Sequence, residues 1–342
     1  MASKRVSLNG RLVGDGEPMY IIAEGGLTNW GDLALAKKQV DAAMAAGCDA
    51  VKFQAQTTEE LVSKRVDPYW YKRLKYKELS REELRELWDY CSIRNIQCFI
   101  TAHTDVDLEF LDKDIDVPFF KVGSGESPNM EFLKNVGSRG KPVIISLGLH
   151  LNDEEITKSV ETLEKAGCKD IVILHCNTVY PTPYEMNDLS QIGRLKKMFN
   201  YPIGYSDHTV GWHVPIAARA LGATVLEKHL SFDKSDKRSY DCPGSCTPED
   251  QKVMVDQIRQ VEAALLDKKG VRMERITEAR KWARQSITAR QDIPKGTKIT
   301  REMITLKRPG TGLGPTEIAK IVGKKAKRKI LEDEFLALQD VS

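Results

Sequence analysis

Between residues 20 and 230 the chain alternates, eight times over, between a short β-rich run and a segment with helical apolar spacing. The runs are YIIAE, DAVKFQ, QCFIT, FFKVGS, PVIISLG, DIVILHC, PIGYSD and TVLEKHL. Between them stand segments such as LALAKKQVDAAMAAG, SREELRELWDYCSIR, DEEITKSVETLEKAG and VPIAARALG, whose apolar residues recur every three or four positions and which often close on a glycine stop. A strand, a returning helix and another strand make parallel neighbours, and a closed parallel sheet needs a crossover helix after each strand. Eight such units favour an α/β fold of the (β/α)8 type, the TIM barrel, over a doubly wound open sheet. The open sheet would usually carry a glycine-rich phosphate loop after an early strand, and AEGGLTNWG lacks the G-x-G-x-x-G spacing.

After a helical stretch near residues 248 to 267 the pattern changes to short strands and turns, QSITARQDIPKGTKITREMITLKRPGTGLGP. We therefore expect a barrel domain over residues 1–270, a linker over 271–284 and a small β-rich domain over 285–342. The 342 residues can bury a full core. Lys and Arg number 52 against 49 Asp and Glu, so bulk charge points to neither nucleic acid nor an anionic membrane. The basic GKKAKRKI is followed by EDE and reads as a solvated charged surface. Apolar runs such as VPIAARALGATVL are too short and interrupted for a membrane span, and MASKRVSLNG lacks the apolar centre of a signal peptide; a soluble, cytoplasmic protein is expected. Seven cysteines without a paired framework suit a reducing compartment, and Cys242 and Cys246 of DCPGSC read as bystanders rather than a metal or redox pair.

In a parallel barrel the chemistry collects at the carboxyl ends of the strands, where every second residue projects inward. Those ends offer Glu24, then Lys52 with Gln54, then Lys121, Ser124 and Glu126. Ser146 follows, then His175, Asn177 and Tyr180, then Ser206 and His208, and finally Glu227 and His229. Burying charges is costly, so two lysines among carboxylates and hydroxyls make sense if an anion or a metal completes the pairing; a purely structural salt-bridge layer is the alternative. Lysine charge with Ser124, Ser146 and Ser206 hydroxyls suits phosphate. His208 and His229, at neighbouring strand ends, suit one divalent cation with open positions. His213 starts the next helix and points away, His175 belongs to the barrel wall, and Asp207 orients a loop.

Together FFKVGSGE, GKPVIIS, ILHCNTVYPTPYEMNDL, IGYSDHT, LEKHLSFDK and LKRPGTGLGP resemble the bacterial sialic acid (N-acetylneuraminate) synthase family, over residues 18 to 340 or so. The resemblance covers the carboxy-terminal domain, which is similar to type III antifreeze protein (an antifreeze-like, or SAF, domain). It implies condensation of phosphoenolpyruvate with an N-acetylated hexose aldehyde such as N-acetylmannosamine, giving a nonulosonic acid and phosphate; the product could equally be legionaminic or pseudaminic acid. By match, His208 and His229 are metal ligands for manganese, with magnesium or cobalt as alternatives. Lys52, Lys121, Ser124, Ser146 and Ser206 hold phosphoenolpyruvate, and Glu24 and Glu126 fall on acidic positions near the reacting carbons. Tyr180 and Asp241 face the sugar. Arg308 matches an arginine that reaches the sugar's N-acyl group from the partner subunit, which implies a domain-swapped homodimer.

The chain departs from the family pattern at Thr28, Asn29 and Trp30 after the first strand, at Ala102 after the third, where Thr101 or His103 could substitute, in SLGL at Ser146 to Leu149, and at Thr178. These departures leave the sugar open. Two other readings remain: a Schiff-base aldolase using Lys121, and a catalytically weakened sugar-binding homologue.

Overall fold

The computed structural model describes residues 4–266 and 269–342. It divides into two compact units, Met1–Leu265 and Leu266–Ser342. In the first unit the eight runs form β1 (Tyr20–Glu24), β2 (Ala50–Ala55), β3 (Gln97–Ala102), β4 (Phe120–Val122), β5 (Val143–Ser146), β6 (Ile171–Cys176), β7 (Ile203–Asp207) and β8 (Val225–His229). Each pairs in parallel with the next and β8 pairs with β1, so the sheet closes into the expected barrel.

Strand parity sorts the side chains. Ile21, Phe53, Val122, Ile145 and Ile173 face outward and share a core with Val40, Leu87, Val160 and Ile192 of the surrounding helices. Tyr20, Ile22, Ala50, Phe99, Ile144, Val172, Leu174 and Val225 face inward and fill the lower barrel with Phe119. Each fully buried Ile, Leu or Phe contributes about 1.5–3 kcal/mol, so both faces of every strand supply stability. The helices start where the sequence supplies caps. Asp32 Oδ1 accepts from the backbone N–H groups of Ala34 (2.8 Å) and Leu35 (3.1 Å) ahead of the helix Leu33–Ala46. Ser80 and Glu83 form a capping box for Arg81–Ile93, a cap being worth about 1 kcal/mol.

An antiparallel hairpin, Val6–Leu8 with Arg11–Val13, precedes β1 and closes the barrel floor. Its two-residue loop is Asn9-Gly10, with φ of 50° and 83°; both residues must be left-handed in a turn that matches strand twist, and Asn followed by Gly adopts this most cheaply. Alternation then drives Val6, Leu8 and Val13 into the inward-facing cluster of the lower barrel. This plug was not anticipated from the sequence.

At the opposite end two connections are enlarged. The one after β2 carries short helices, Thr58–Leu61 and Pro68–Lys75, before the returning helix; the one after β8 runs to Pro248–Leu265. They meet through Trp70 and Tyr240, whose rings stack at 6.3 Å.

In the second unit a helix, Lys269–Ala283, runs through most of the segment read as a linker. It is followed by β9 (Ser286–Ala289) paired antiparallel with β10 (Ile304–Lys307), around a core that includes Ile287, Ile293, Ile304, Ile330 and Leu336. Within GKKAKRKI, Arg328 pairs with Glu334 and Asp340 and Lys329 with Asp292, the charged surface expected of it. Among the described residues no helix is long and apolar enough to cross a membrane.

Candidate active site

Along each strand the inward residue turns from apolar to polar toward the carboxyl end: Ile22 gives way to Glu24, Ala50 to Lys52 and Gln54, Phe99 to Thr101, Ile144 to Ser146, and Val225 to Glu227 and His229. The result is a cavity of about 420 Å³ at the carboxyl mouth of the barrel. Of the residues singled out in the sequence, Lys52, Lys121, Ser124, Glu126, Ser146, Tyr180, Ser206, His208, His229 and Asp241 all line it. Glu24 does not; it is fully buried behind Lys52 and Gln54, its carboxylate 2.6 Å from the Lys52 ammonium and accepting from Gln54 Nε2 at 2.9 Å. Arg308 is exposed and belongs to the second unit.

The two lysines are held differently. Lys52 pairs with Glu24, lies 3.5 Å from Glu227 and donates to Thr101 Oγ1 at 3.2 Å. Burial alone would push its pKa down, but Glu227 and Glu24 outweigh it and hold the ammonium above its ordinary value. Lys121 donates to Ser146 Oγ (2.8 Å) and the Val122 carbonyl (3.0 Å), with its nearest carboxylate, Glu227, 3.9 Å away. There burial wins and the pKa is lowered, with Lys52 adding repulsion against the pull of Glu227. With one carboxylate, 3.9 Å away and shared with Lys52, this buried ammonium has charge to spare for a ligand. Around it stand hydroxyls from four strand ends. Ser146 accepts from Lys121, Ser206 donates to Glu227 at 3.1 Å, Ser124 accepts from the Gly148 N–H at 3.0 Å, and Thr101 faces Lys52.

Glu227 itself was named in the sequence only as a strand-end residue, yet it is the carboxylate that both lysines share. Burial would raise its pKa, but Lys121 and Lys52 overcome that and keep it ionised. Glu126 is held below the usual carboxylate range too: the His103 Nδ1 at 3.0 Å outweighs burial. A Cβ on Gly123 would lie 2.5 Å from the Glu126 carboxylate, so glycine is what lets that side chain fold back into the cavity.

His208 and His229 converge as their neighbouring positions required, with ring centroids 5.2 Å apart. His208 Nδ1 donates to the Asn177 carbonyl at 2.6 Å, which fixes the tautomer and leaves Nε2 with its lone pair free. Burial, reinforced by His229, holds the His208 pKa down at about 4, so the ring is neutral as a ligand must be. Nδ1 of His229 is buried without a hydrogen-bond partner. A free lone pair beside an orphaned ring nitrogen fits a divalent cation held by two imidazoles, with its other positions left to water or substrate oxygens. No cluster of three or more His, Cys, Asp or Glu suited to a metal occurs among the described residues. Tyr180 packs on His208 at 4.0 Å between centroids.

The departures resolve individually. Thr28 is a structural knot, donating to the Gly25 and Leu230 carbonyls and accepting from Gln39. Asn29 bonds Gly26 and Gly31. Ala102 packs outward in the helical core, while Thr101 and His103 line the cavity. Thr178 lines it also. Cys242 and Cys246 are buried free thiols, and burial pushes Cys246 up to about 12, which keeps it protonated. His175 faces the wall against Tyr205, His213 is exposed at a helix start against Tyr184, and Asp207 is tied to Lys228. Residues the sequence reading passed over are Arg73 and Lys77, which also line the cavity.

The NeuB family model matches residues 39–270 and the SAF domain model residues 284–342. The chain belongs to the NeuB family. Three family relatives frame it. An uncharacterized protein of Methanocaldococcus jannaschii is 40% identical over 340 residues, with 99% of each chain covered. The N,N'-diacetyllegionaminic acid synthase of Legionella pneumophila is 36% identical over 322 residues, 90% of each. The N-acetylneuraminate-9-phosphate synthase of Homo sapiens is 34% identical over 340 residues, 96% of this chain and 94% of that one. Among solved structures, the N-acetylneuraminic acid synthetase of Leptospira borgpetersenii in complex with citrate superposes with a TM-score of 0.74 at 31% identity, over 81% of this chain and 96% of that one. The chain is an enzyme of this synthase family.

Proposed function

We propose that the chain condenses phosphoenolpyruvate with the aldehyde of an N-acetylated hexosamine to form a nonulosonic acid and inorganic phosphate. The observation that carries this reading is Lys121, a buried ammonium whose nearest carboxylate, Glu227, is 3.9 Å away and shared with Lys52, ringed by hydroxyls and lying in one cavity with two convergent imidazoles. Lys121 and Lys52 neutralise the phosphate and carboxylate, and Ser124, Ser146, Ser206 and Thr101 supply hydrogen bonds to separate oxygens. Carbon three of phosphoenolpyruvate bonds to the aldehyde carbon, and the aldehyde oxygen takes a proton to become a hydroxyl. Water adds at carbon two, and the bond from carbon two to the phosphate oxygen breaks. His208 and His229 would hold a divalent cation such as Mn2+, with magnesium or cobalt as alternatives, which would supply positive charge beside the aldehyde oxygen. Glu126, kept ionised by His103, serves as a counter-charge to carbon two or as acceptor of a proton from water, and not as a proton donor. Tyr180 and Asp241 border the space above, where the sugar lies. The reading includes a homodimer, in which Arg308 of one subunit completes the sugar site of the other.

Identity near 35% to synthases of different sugar acids leaves the acceptor open among sialic, legionaminic and pseudaminic precursors. The test is a panel of N-acetylated hexosamines, their 6-phosphates and their dideoxy analogues. Phosphate release from phosphoenolpyruvate that depends on one aldose, is lost with chelator and returns with Mn2+ supports the reading; no release with any aldose refutes it. The lowered pKa of Lys121 favours one rival, an imine-forming aldolase, for which borohydride would trap substrate on Lys121.

A further inference from the structure

Two more cations enter the cavity from the enlarged connection after β2, above the inner ring of strand-end residues. Lys77 is only 3% exposed, yet its ammonium has neither a hydrogen-bond acceptor nor a carboxylate within ion-pair distance among the described residues. It rests instead on ring faces, 5.1 Å from the centroid of Trp30 and 5.8 Å from that of Tyr76. Arg73 lies 4.3 Å over Tyr240 and 5.8 Å from Trp70; its Nη1 donates to Tyr69 at 3.1 Å, and its Nη2 is buried with no acceptor. The acids nearby are committed elsewhere or too far. Asp236 is bound by Arg238, Glu78 and Glu59 are bound by Lys75, and Asp241 attracts Lys77 only from beyond ion-pair distance while accepting from Ser239. Cations seated on aromatic faces keep their N–H groups free, and two of them side by side repel each other unless an anion lies between them.

We propose that Arg73 and Lys77 form an anion subsite in the outer part of the cavity, which takes a phosphate monoester at the end of the acceptor sugar remote from its aldehyde. The proposal rests on the synthase reading, in which the aldehyde end points down to His208 and His229 and the far end of the chain points up to the enlarged loops. The acceptor is then a hexosamine 6-phosphate rather than a neutral sugar, and the reaction that supplies it is a phosphorylation of, or an isomerisation within, hexosamine phosphates. Two cations match the near-dianionic charge of a phosphate monoester, and arginine adds a planar fork for its oxygens. Trp30, one of the departures from the family pattern, holds Lys77 in place.

The test titrates the full-length protein calorimetrically, with phosphoenolpyruvate present and metal chelated, using N-acetylmannosamine, N-acetylglucosamine and the 6-phosphate of each. At least one 6-phosphate is expected to bind roughly 30-fold more tightly than its neutral partner, an advantage that falls as salt is raised. Lys77→Gln and Arg73→Gln should each remove about tenfold of that advantage; Lys77→Arg should keep most of it, while Arg73→Lys, which keeps the charge but loses the stacked fork, should keep only part. Equal affinity for the neutral and phosphorylated sugars, no binding of either, or variants that weaken both alike would overturn the proposal. Phosphate release with a neutral aldose and no preference for its 6-phosphate sinks this inference and leaves the synthase reading standing. A 6-phosphate bound through Arg73 and Lys77 that never triggers phosphate release from phosphoenolpyruvate does the reverse.

Discussion

Removing the Lys228 ammonium should cost far more stability than a surface charge would. Lys228 and Asp207 face outward from β8 and β7, and both side chains are completely buried. Asp207 Oδ1 also accepts from Tyr205 Oη (2.7 Å), Thr209 Oγ1 (2.9 Å) and the Thr209 N–H (3.2 Å), and Lys228 donates to the Thr209 carbonyl at 2.6 Å. In Lys228→Met the carboxylate keeps its neutral donors but loses its counter-ion, and breaking a buried pair in this way costs about 3–5 kcal/mol. Asp207→Asn strands the ammonium and should cost a similar amount. The double variant removes both charges, so its loss should fall short of the sum by about 2–3 kcal/mol, the coupling expected of groups in direct contact. The assay is equilibrium urea unfolding followed by tryptophan fluorescence, since Trp30, Trp70, Trp88 and Trp212 all lie in the barrel unit. The pair anchors the strand ends that carry His208 and His229, so Lys228→Met should also weaken Mn2+ binding. A loss below about 1 kcal/mol for either single variant, or a double variant as costly as the sum, would refute the reasoning.

Three other outcomes follow from the same reasoning. His208→Ala should abolish Mn2+-dependent phosphate release while His213→Ala, at an exposed helix start, keeps most of it; mixing inactive His208→Ala and Arg308→Ala chains should restore part of the activity if sites are completed between subunits. His175 supplies a pH test: burial holds its pKa at about 4, against an ordinary value of about 6.5. Between those values the unfolded chain binds more protons than the folded one, so the contribution of a neutral His175 is complete above about pH 6.5 and is lost as pH falls toward about 4. His175→Phe should flatten that part of the stability profile, read as urea midpoints from pH 4.5 to 7.5; an unchanged slope would show that the burial penalty is carried elsewhere.

The barrel was legible because its signal is periodic. All eight strands follow from short β-rich runs alternating with helix-patterned segments, and strand geometry, in which every second residue faces the same way, turns Lys52, Lys121, Ser146, Ser206 and His229 inward. What escaped had no period to announce it. Arg73 and Lys77 sit in and after a short helix of an enlarged connection, where spacing says nothing about which residues reach the barrel axis. Glu24 has the right parity, but Lys52 and Gln54 draw its carboxylate away from the cavity, a choice set by the neighbouring strand. Thr101 in place of Ala102 is a matter of one residue of register, which only the closed sheet fixes. The floor plug did leave a trace, Asn-Gly between two alternating triplets, although nothing local says what such a hairpin packs against.

That hairpin also sets a problem of timing. Val6, Leu8 and Val13 leave the ribosome before any barrel strand, yet the socket that receives them is complete only when Val225 has been made. For most of synthesis the plug is an apolar ribbon with no seat, and the barrel's last closure, β8 against β1, must occur together with its insertion. Contacts so distant in sequence make folding slow and leave sticky intermediates exposed. In this chain, residues made before every barrel strand are among the last that can find their place.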